Sequence, residues 1–191
     1  MTDQRLRQIA DLLTLKADGL YGLSDITQRQ HALQSAWLAE RLDCPDSLIA
    51  ASLLHDIGHL VHDLGANPAE AGVDDLHEER GYEFLAVWFG PEVTEPVRLH
   101  VAAKRYLCAT EADYFGKLSK DSVRSLSLQG GPMSAAEVAA FDALPQSSAA
   151  VQLRRFDEQA KVKHLETPPV AHFLPYVARC LRPAPDTDPA I

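Results

Sequence analysis

The chain has 191 residues, 46% of them apolar, and carries 18 basic against 27 acidic side chains for a net charge of −9. That length and composition fit a globular unit with room for a sizeable core. No apolar run approaches the roughly 20 residues of a membrane-spanning helix, and the acidic balance argues against a nucleic-acid surface, which calls for a basic footprint.

Helical periodicity dominates from the start. Leu6, Ile9, Leu12 and Leu13 recur at helical spacing in a first segment that ends near KADGLYG. The opening MTDQRLRQIADLL has no signal-peptide apolar core, so a cytoplasmic protein is expected. A second helix is predicted from Thr27 to Leu42, with Ala32, Leu33, Ala36 and Ala39 along one side. Pro45 suits the first turn of a third, PDSLIAASLLHDIGHL, because a missing N–H costs nothing there. GANPAEAGVDD reads as a loop and LHEERGYEFLAVWFG as a helix closed by Gly90. PEVTEPVRLHVAAKRYLC predicts a further helix interrupted around Pro96, and SKDSVRSLSLQGG a short helix or turn. MSAAEVAAFDAL sets Ser134 and Glu137 at capping-box spacing, and SSAAVQLRRFDEQAKV follows it. ETPPVAHFLPYVARCLRPAPDTDPAI adds a last helix and a Pro/Asp-rich tail. The expectation is an all-α fold, one domain over residues 1–182 and a disordered tail over 183–191. Three scattered cysteines, Cys44, Cys108 and Cys180, form neither a disulfide framework nor a CxxC knuckle.

One stretch does not fit a plain helix. LLHDIGHLVHDLG, residues 53–65, sets His55 beside Asp56 inside an apolar run. A buried Asp without a partner is expensive, so it calls for a countercharge or a metal. Candidate partners stand on other segments: His31 before it, His77 and His100 after it, and Asp157 near the end. Histidine and aspartate together are a ligand set for first-row metals. On a helix the two neighbours would lie about 100° apart, which would let Asp56 offer one oxygen to each of two metals while His55 holds one. His62, His164 and His172 are read as ordinary histidines.

The order His31, His55-Asp56, Asp157 resembles the HD-domain superfamily of all-helical metal-dependent proteins. The further order Tyr21, His59, His77, His100 and Lys104 resembles its mixed-valent diiron oxygenases, to which myo-inositol oxygenase belongs, and within them the enzymes that cleave the C–P bond of 1-hydroxyphosphonates. The resemblance implies a helical bundle around two iron ions, Fe(II)/Fe(III), with dioxygen as co-substrate. One iron would be held by His31, His55, Asp56 and Asp157, and the other by Asp56, His77 and His100, with Asp56 bridging. In that family a tyrosine ten residues before the first ligand occupies an iron position until substrate displaces it, and Tyr21 stands ten before His31. Tyr21, His59 and Lys104 are thereby the expected catalytic residues.

Residue chemistry points to an anion beside that site. His100 and Lys104 are i, i+4, and Arg154 and Asp157 are i, i+3, so each cation shares a helix face with an expected ligand. Ser122 and Ser125 repeat the spacing as hydroxyl donors. A phosphonate dianion needs this mixture of cations and donors. The resemblance places His59, Lys104, Ser122, Ser125 and Arg154 at the phosphonate-binding positions. It also shows one departure. The enzyme acting on 2-amino-1-hydroxyethylphosphonate has a glutamate for the substrate ammonium three residues after the tyrosine, where this chain has Ser24, with Asp25 one place later. A trimethylammonium has no N–H to donate and is held by aromatic faces and diffuse charge. The expected substrate is therefore (R)-1-hydroxy-2-(trimethylammonio)ethylphosphonate, giving glycine betaine and phosphate, with Ser24, Asp25 and Tyr21 near the cation. An uncharged hydroxyphosphonate would also tolerate Ser24. The rival readings are a metal-dependent phosphohydrolase of a nucleotide or phosphoester, and a catalytically silent ligand sensor on the same scaffold.

Overall fold

A computed structural model describes residues 3–21, 25–61 and 72–183. Ser24, His62, most of the GANPAEAGVDD loop and the tail from 184 onward lie outside the described residues. Among the described residues there are nine α-helices, and pairing of extended backbone is confined to two isolated bridges, Leu20 with Thr27 and Phe89 with Leu181. The helices are α1 (Gln4–Asp11), α2 (Gln28–Arg41), α3 (Asp46–Leu54), α4 (His77–Ala86), α5 (Pro91–Thr110), α6 (Lys120–Leu128), α7 (Ala135–Asp142), α8 (Ser147–Gln159) and α9 (Val170–Cys180).

The arrangement follows from α3. Every residue from Leu48 to Leu54 is buried, and a helix that is apolar all round can only sit in the middle of a bundle. Helices α2, α5, α8 and α9 pack around it, and Ile49, Leu53, Leu54, Val93, Val97, Leu153, Phe156 and Phe173 fill the shared core. The C-terminal end of α3 is thus delivered to the centre of the protein.

Local signals set the ends of the surrounding helices. Thr27 caps α2 through a reciprocal pair, Gln30 N–H to Thr27 Oγ1 at 3.1 Å and Thr27 N–H to Gln30 Oε1 at 2.8 Å. The Ser134–Glu137 box starts α7 in the same way. Ser119 Oγ accepts the Ser122 N–H at 3.2 Å, so SKDSVRSLSL forms a full helix, α6.

Two expectations are corrected. Helix α5 runs unbroken through Pro96. The bond that proline removes falls on the Glu92 carbonyl in the first turn, and Glu92 is exposed, so water can serve it. The HDIGHL stretch, in contrast, does not continue α3. The helix ends at Leu54, Asp56 leaves helical geometry at φ −100° and ψ 13°, and Ile57–Leu60 form a 3-10 turn. Asp56 therefore reaches the centre from a break in the backbone and not from the next position on a helix.

Gly58 explains how the break is accommodated. A Cβ at Gly58 would stand 1.9 Å from the His77 carbonyl oxygen, so the turn lies directly on the first residue of α4. Leu76, just ahead, holds φ +50°, a left-handed conformation that a leucine adopts only when its surroundings enforce it. Replacing Gly58 forces the two backbones apart. Gly58→Ala is expected to lower unfolding stability by about 1–3 kcal/mol, the range for overpacking a close contact, read from urea denaturation. An unchanged midpoint would show that the approach is not constrained.

Candidate metal centre and anion pocket

Four buried imidazoles converge below the α3 break. Each gives its Nδ1 to a fixed acceptor. His31 Nδ1 lies 2.8 Å from the Ala160 carbonyl, His55 Nδ1 2.9 Å from that of Ser52 and His100 Nδ1 2.6 Å from that of Val97. His77 Nδ1 lies 2.9 Å from Asp75 Oδ1. A carbonyl oxygen only accepts, so His31, His55 and His100 donate through Nδ1, and in the neutral ring Nε2 then carries a lone pair. Those Nε2 atoms face inward in pairs, His31 with His55 at 3.1 Å and His77 with His100 at 3.1 Å.

Asp56 stands between the pairs. Its Oδ2 is 3.2 Å from His55 Nε2 and 3.5 Å from His31 Nε2, while its Oδ1 is 3.6 Å from both His77 Nε2 and His100 Nε2. Asp157 Oδ1 completes the first group at 3.3 Å from His31 Nε2. Asp56 Oδ2 is buried without a hydrogen-bond partner, and Asp157 Oδ1, likewise without one, has the Lys161 ammonium 3.3 Å away. Two facing lone pairs beside an orphaned carboxylate oxygen repel one another unless a cation sits among them. Ligand atoms bound at about 2.1 Å and at right angles around one ion would be about 3.0 Å apart, close to the spacing of each imidazole pair. The donor set thus fits a metal in each of two groups, His31–His55–Asp157 and Asp56–His77–His100, and Asp56 lies within reach of both.

The electrostatics give ionised carboxylates and divide the imidazoles: burial would lower His55 and His77, but Asp56 raises His55, and the bond to Asp75 together with Asp56 raises His77 to about 9. Burial holds His31 below its ordinary value, and burial together with the neighbouring His77 holds His100 well below it. Burial alone would raise Asp56 and Asp157, but the surrounding imidazoles, and for Asp157 chiefly Arg154, hold both well below the usual carboxylate range. Metal ligation requires neutral imidazoles and ionised carboxylates, so an ion bound here would take the place of the protons that the carboxylates favour on His55 and His77.

Asp75 was not visible in the sequence as a site residue, yet it organises one side of the centre. Its Oδ1 holds His77 Nδ1 at 2.9 Å and its Oδ2 holds His59 Nδ1 at 2.7 Å, with the two rings stacked at 4.1 Å. A third group of ligand-type atoms, His59–Asp75–His77, is therefore already satisfied by its own hydrogen bonds. Burial would raise the Asp75 carboxyl, but the bonds from both imidazoles hold it below the normal range. The only sequence signal was its place two residues before His77.

A cavity of about 120 Å³ opens beside the centre. Lys104, one turn after His100 on α5, is buried in its wall and donates to Ser125 Oγ at 2.7 Å. Burial, with Arg154 nearby, pushes the Lys104 ammonium down to about 7. Ser122 and Arg154 line the same wall, with Arg154 NH2 3.2 Å from Ser122 Oγ. Tyr21 stacks on His31 at 3.9 Å, and burial together with the Asp56 and Asp157 carboxylates raises its phenol well above the ordinary value.

The structure brings together His31, His55, Asp56, His59, His77, His100, Lys104, Ser122, Ser125, Arg154, Asp157 and Tyr21. It does not bring Asp25 to them. Asp25 is exposed and ion-paired with Lys163, the cation that the segment after α8 places beside it, which corrects the expectation of a contact with substrate. Ser24 lies outside the described residues. Lys161 also lines the cavity, its ammonium 3.3 Å from Asp157 Oδ1 and 5.8 Å from the Tyr21 ring centre.

A bundle with two buried His/Asp groups at the end of its central helix defines a metal-binding all-α protein. The HD domain profile matches residues 29–157, and the chain belongs to the HD-domain family. It is 43% identical over 171 residues to the 1-hydroxy-2-(trimethylamino)ethylphosphonate dioxygenase (glycine-betaine-forming) of Leisingera caerulea, covering 90% of this chain and 87% of that one. It is 44% identical over 179 residues to the hydroxymethylphosphonate dioxygenase of Gimesia maris, covering 93% and 89%.

Asp75→Asn keeps one acceptor but turns an NH2 toward the other Nδ1–H. Loss of such a support for a ligating imidazole is expected to weaken metal binding about 10- to 100-fold, measured by competition with a chelator. Wild-type affinity in this variant would show that Asp75 does not orient His77.

Proposed function

We propose that this protein is an O2-dependent non-heme diiron oxygenase that cleaves the C–P bond of a 1-hydroxyphosphonate to a carboxylate and phosphate. The observation that carries this reading is the position of Asp56, whose two oxygens face separate imidazole pairs, next to a cavity walled by Lys104, Ser122, Ser125 and Arg154. Similarity to two phosphonate dioxygenases at 43% and 44% identity supports the same chemistry. The substrate we favour is (R)-1-hydroxy-2-(trimethylammonio)ethylphosphonate, yielding glycine betaine; hydroxymethylphosphonate is the second compound of the assay panel. Asp74 and Asp121, half-buried in the cavity lining, supply negative charge for a substrate cation in place of Asp25.

His31, His55, Asp56 and Asp157 would hold one iron, and Asp56, His77 and His100 the other, in the Fe(II)/Fe(III) state. When bound, the irons supply the redox chemistry with dioxygen, oxidising C1 of the substrate. The chain's own groups position and balance charge. Lys104 and the two serines meet the phosphonate oxygens, using charge-assisted and hydroxyl hydrogen bonds. His59, fixed through Nδ1 by Asp75, keeps Nε2 turned toward Asp56 at 3.9 Å from Oδ1, where it can hold or deliver a proton. Tyr21, stacked on His31, covers the centre on the side of the first group. The overall change balances with one dioxygen: C–H and C–P bonds are lost, carboxylate and phosphate form, and one proton is released.

Phosphate release from the trimethylammonio substrate is expected to require dioxygen, consumed in equal amount. Phosphate release that continues without oxygen would assign the site to a hydrolase. Iron-loaded protein is expected to hold two metal ions per chain, and His77→Ala one, with helical circular dichroism retained and turnover lost. A fully loaded wild type that never exceeds one ion would exclude the dinuclear site.

Lys104 adds a pH signature. Its value of about 7 in the free protein leaves it mainly neutral above about pH 8, whereas a bound dianion favours the ammonium. Phosphonate binding above about pH 8 is therefore expected to take up close to one proton, read by calorimetry in buffers of different ionisation enthalpy. Lys104→Met should abolish the uptake, and a wild type with none would place the anion elsewhere.

A further inference from the structure

Arg154 stands in the wall of the cavity, but most of its hydrogen-bonding capacity is spent inside the protein. Its Nε donates to Tyr114 Oη at 3.0 Å, one NH1 proton to Asp157 Oδ2, and NH2 to Ser122 Oγ at 3.2 Å and to Glu158 Oε2. A guanidinium has five N–H groups, so one remains for a ligand. The side chain is 4% exposed, and the neighbouring carboxylates more than offset the cost of its burial, holding it fully charged.

The partners of Arg154 belong to separate parts of the site. Asp157 is a metal-ligand candidate on α8 and Ser122 an anion-binding candidate on α6. Tyr114 lies in the connector between α5 and α6, 3% exposed although it sits on a turn. Glu158 also accepts the Ser119 N–H through Oε1 at 3.0 Å, and Ser119 is the residue that caps α6. On the same helix, Arg155 pairs with Glu111 at the start of the connector. The connector is thus tied to α8 at Glu111, Tyr114 and Ser119.

We infer that Tyr114 and Glu158 are positioning residues that act through Arg154, using α8 as the common support that sets α6 and its serines at a fixed distance from Asp157. The inference rests on the phosphonate-binding reading for its substrate arm only. A conformational shift of α6 would move Ser122 and Ser125 together, and Arg154 passes that shift to Asp157 through a single rigid, planar group. Arg154 is therefore a link between metal retention and anion binding, and its contribution is not confined to a contact with the anion.

The test uses metal-loaded full-length protein in two measurements: the rate of metal loss to excess chelator, and anaerobic calorimetric binding of hydroxymethylphosphonate. Tyr114→Phe and Glu158→Gln are each expected to speed metal loss and weaken phosphonate binding by about 3- to 10-fold, the equivalent of removing one buried hydrogen bond. The Tyr114→Phe effects are expected to vanish in an Arg154→Lys background, because the phenol acts through the guanidinium, and those of Glu158→Gln to shrink to what its separate bond to Ser119 carries. The proposal is overturned if either variant lowers only the melting temperature, leaving both measurements at wild-type values, or if its effects add fully to those of Arg154→Lys. If wild type binds no hydroxyphosphonate at all, the substrate reading fails, while the chelation arm still decides the role of Tyr114 and Glu158.

Discussion

The buried carboxylate of Asp56 is the constraint around which this protein is built. An ionised carboxylate at the centre of an apolar bundle is tolerated only when positive charge and donors surround it. Here its neighbours are imidazoles whose Nδ1 protons are already committed to carbonyls or to Asp75. In the neutral imidazoles lone pairs, not N–H donors, therefore face the carboxylate, and without a cation Asp56 favours a proton on His55, and Asp75 with Asp56 one on His77. That arrangement is unfavourable for an all-protein network and appropriate for one that holds metal ions. The two oxygens of Asp56 face different imidazole pairs, so a single residue ties two ligand groups into one centre.

Holding such a centre requires rigid support from several directions. The apolar helix α3 brings His55 and Asp56 inward, and its abrupt end turns the carboxylate toward the remaining ligands. Helix α4 is set against that break by Gly58, which lets two backbones meet without a side chain between them. Helix α5 contributes His100 and Lys104 one turn apart, so the candidate metal group and the candidate anion pocket share a support. Helix α8 does the same with Asp157 and Arg154.

Charge in the cavity is divided between mobile and fixed parts. Arg154 is locked among carboxylates and a phenol, and so stays charged at every working pH. Lys104 donates to the Ser125 hydroxyl, and burial pushes its ammonium down to about 7. In the proposed reaction an arriving dianion would recruit its charge from Lys104, while Arg154 would keep the framework in place. This division separates the role of recognition from that of positioning, although both cations line one wall.

Much of this was legible in the residues alone. An all-helical chain follows from the 3.6-residue apolar pattern, and the two capping boxes mark the starts of α2 and α7 because a short polar side chain and its partner three residues later are a purely local signal. His55-Asp56 stood out because a His-Asp pair in an apolar run has no inexpensive local explanation, and spacing placed Lys104 and Arg154 beside ligands. What remained hidden was decided by contacts between distant segments. The turn after Leu54 packs, at Gly58, on the His77 carbonyl, 19 residues further along the chain. Asp75 became a support for His59 and His77 only when a turn carried it to the Nδ1 atoms of both rings, and Asp25 stands exposed beside Lys163, away from the cavity. Tyr114 and Glu158 carried no motif, since their partner is an arginine 40 residues away for one and a single helical turn away for the other. Periodicity and residue chemistry determined which groups this protein has at its centre; only the tertiary packing decided how those groups face one another, because burial and hydrogen-bond partners are properties of the assembled bundle.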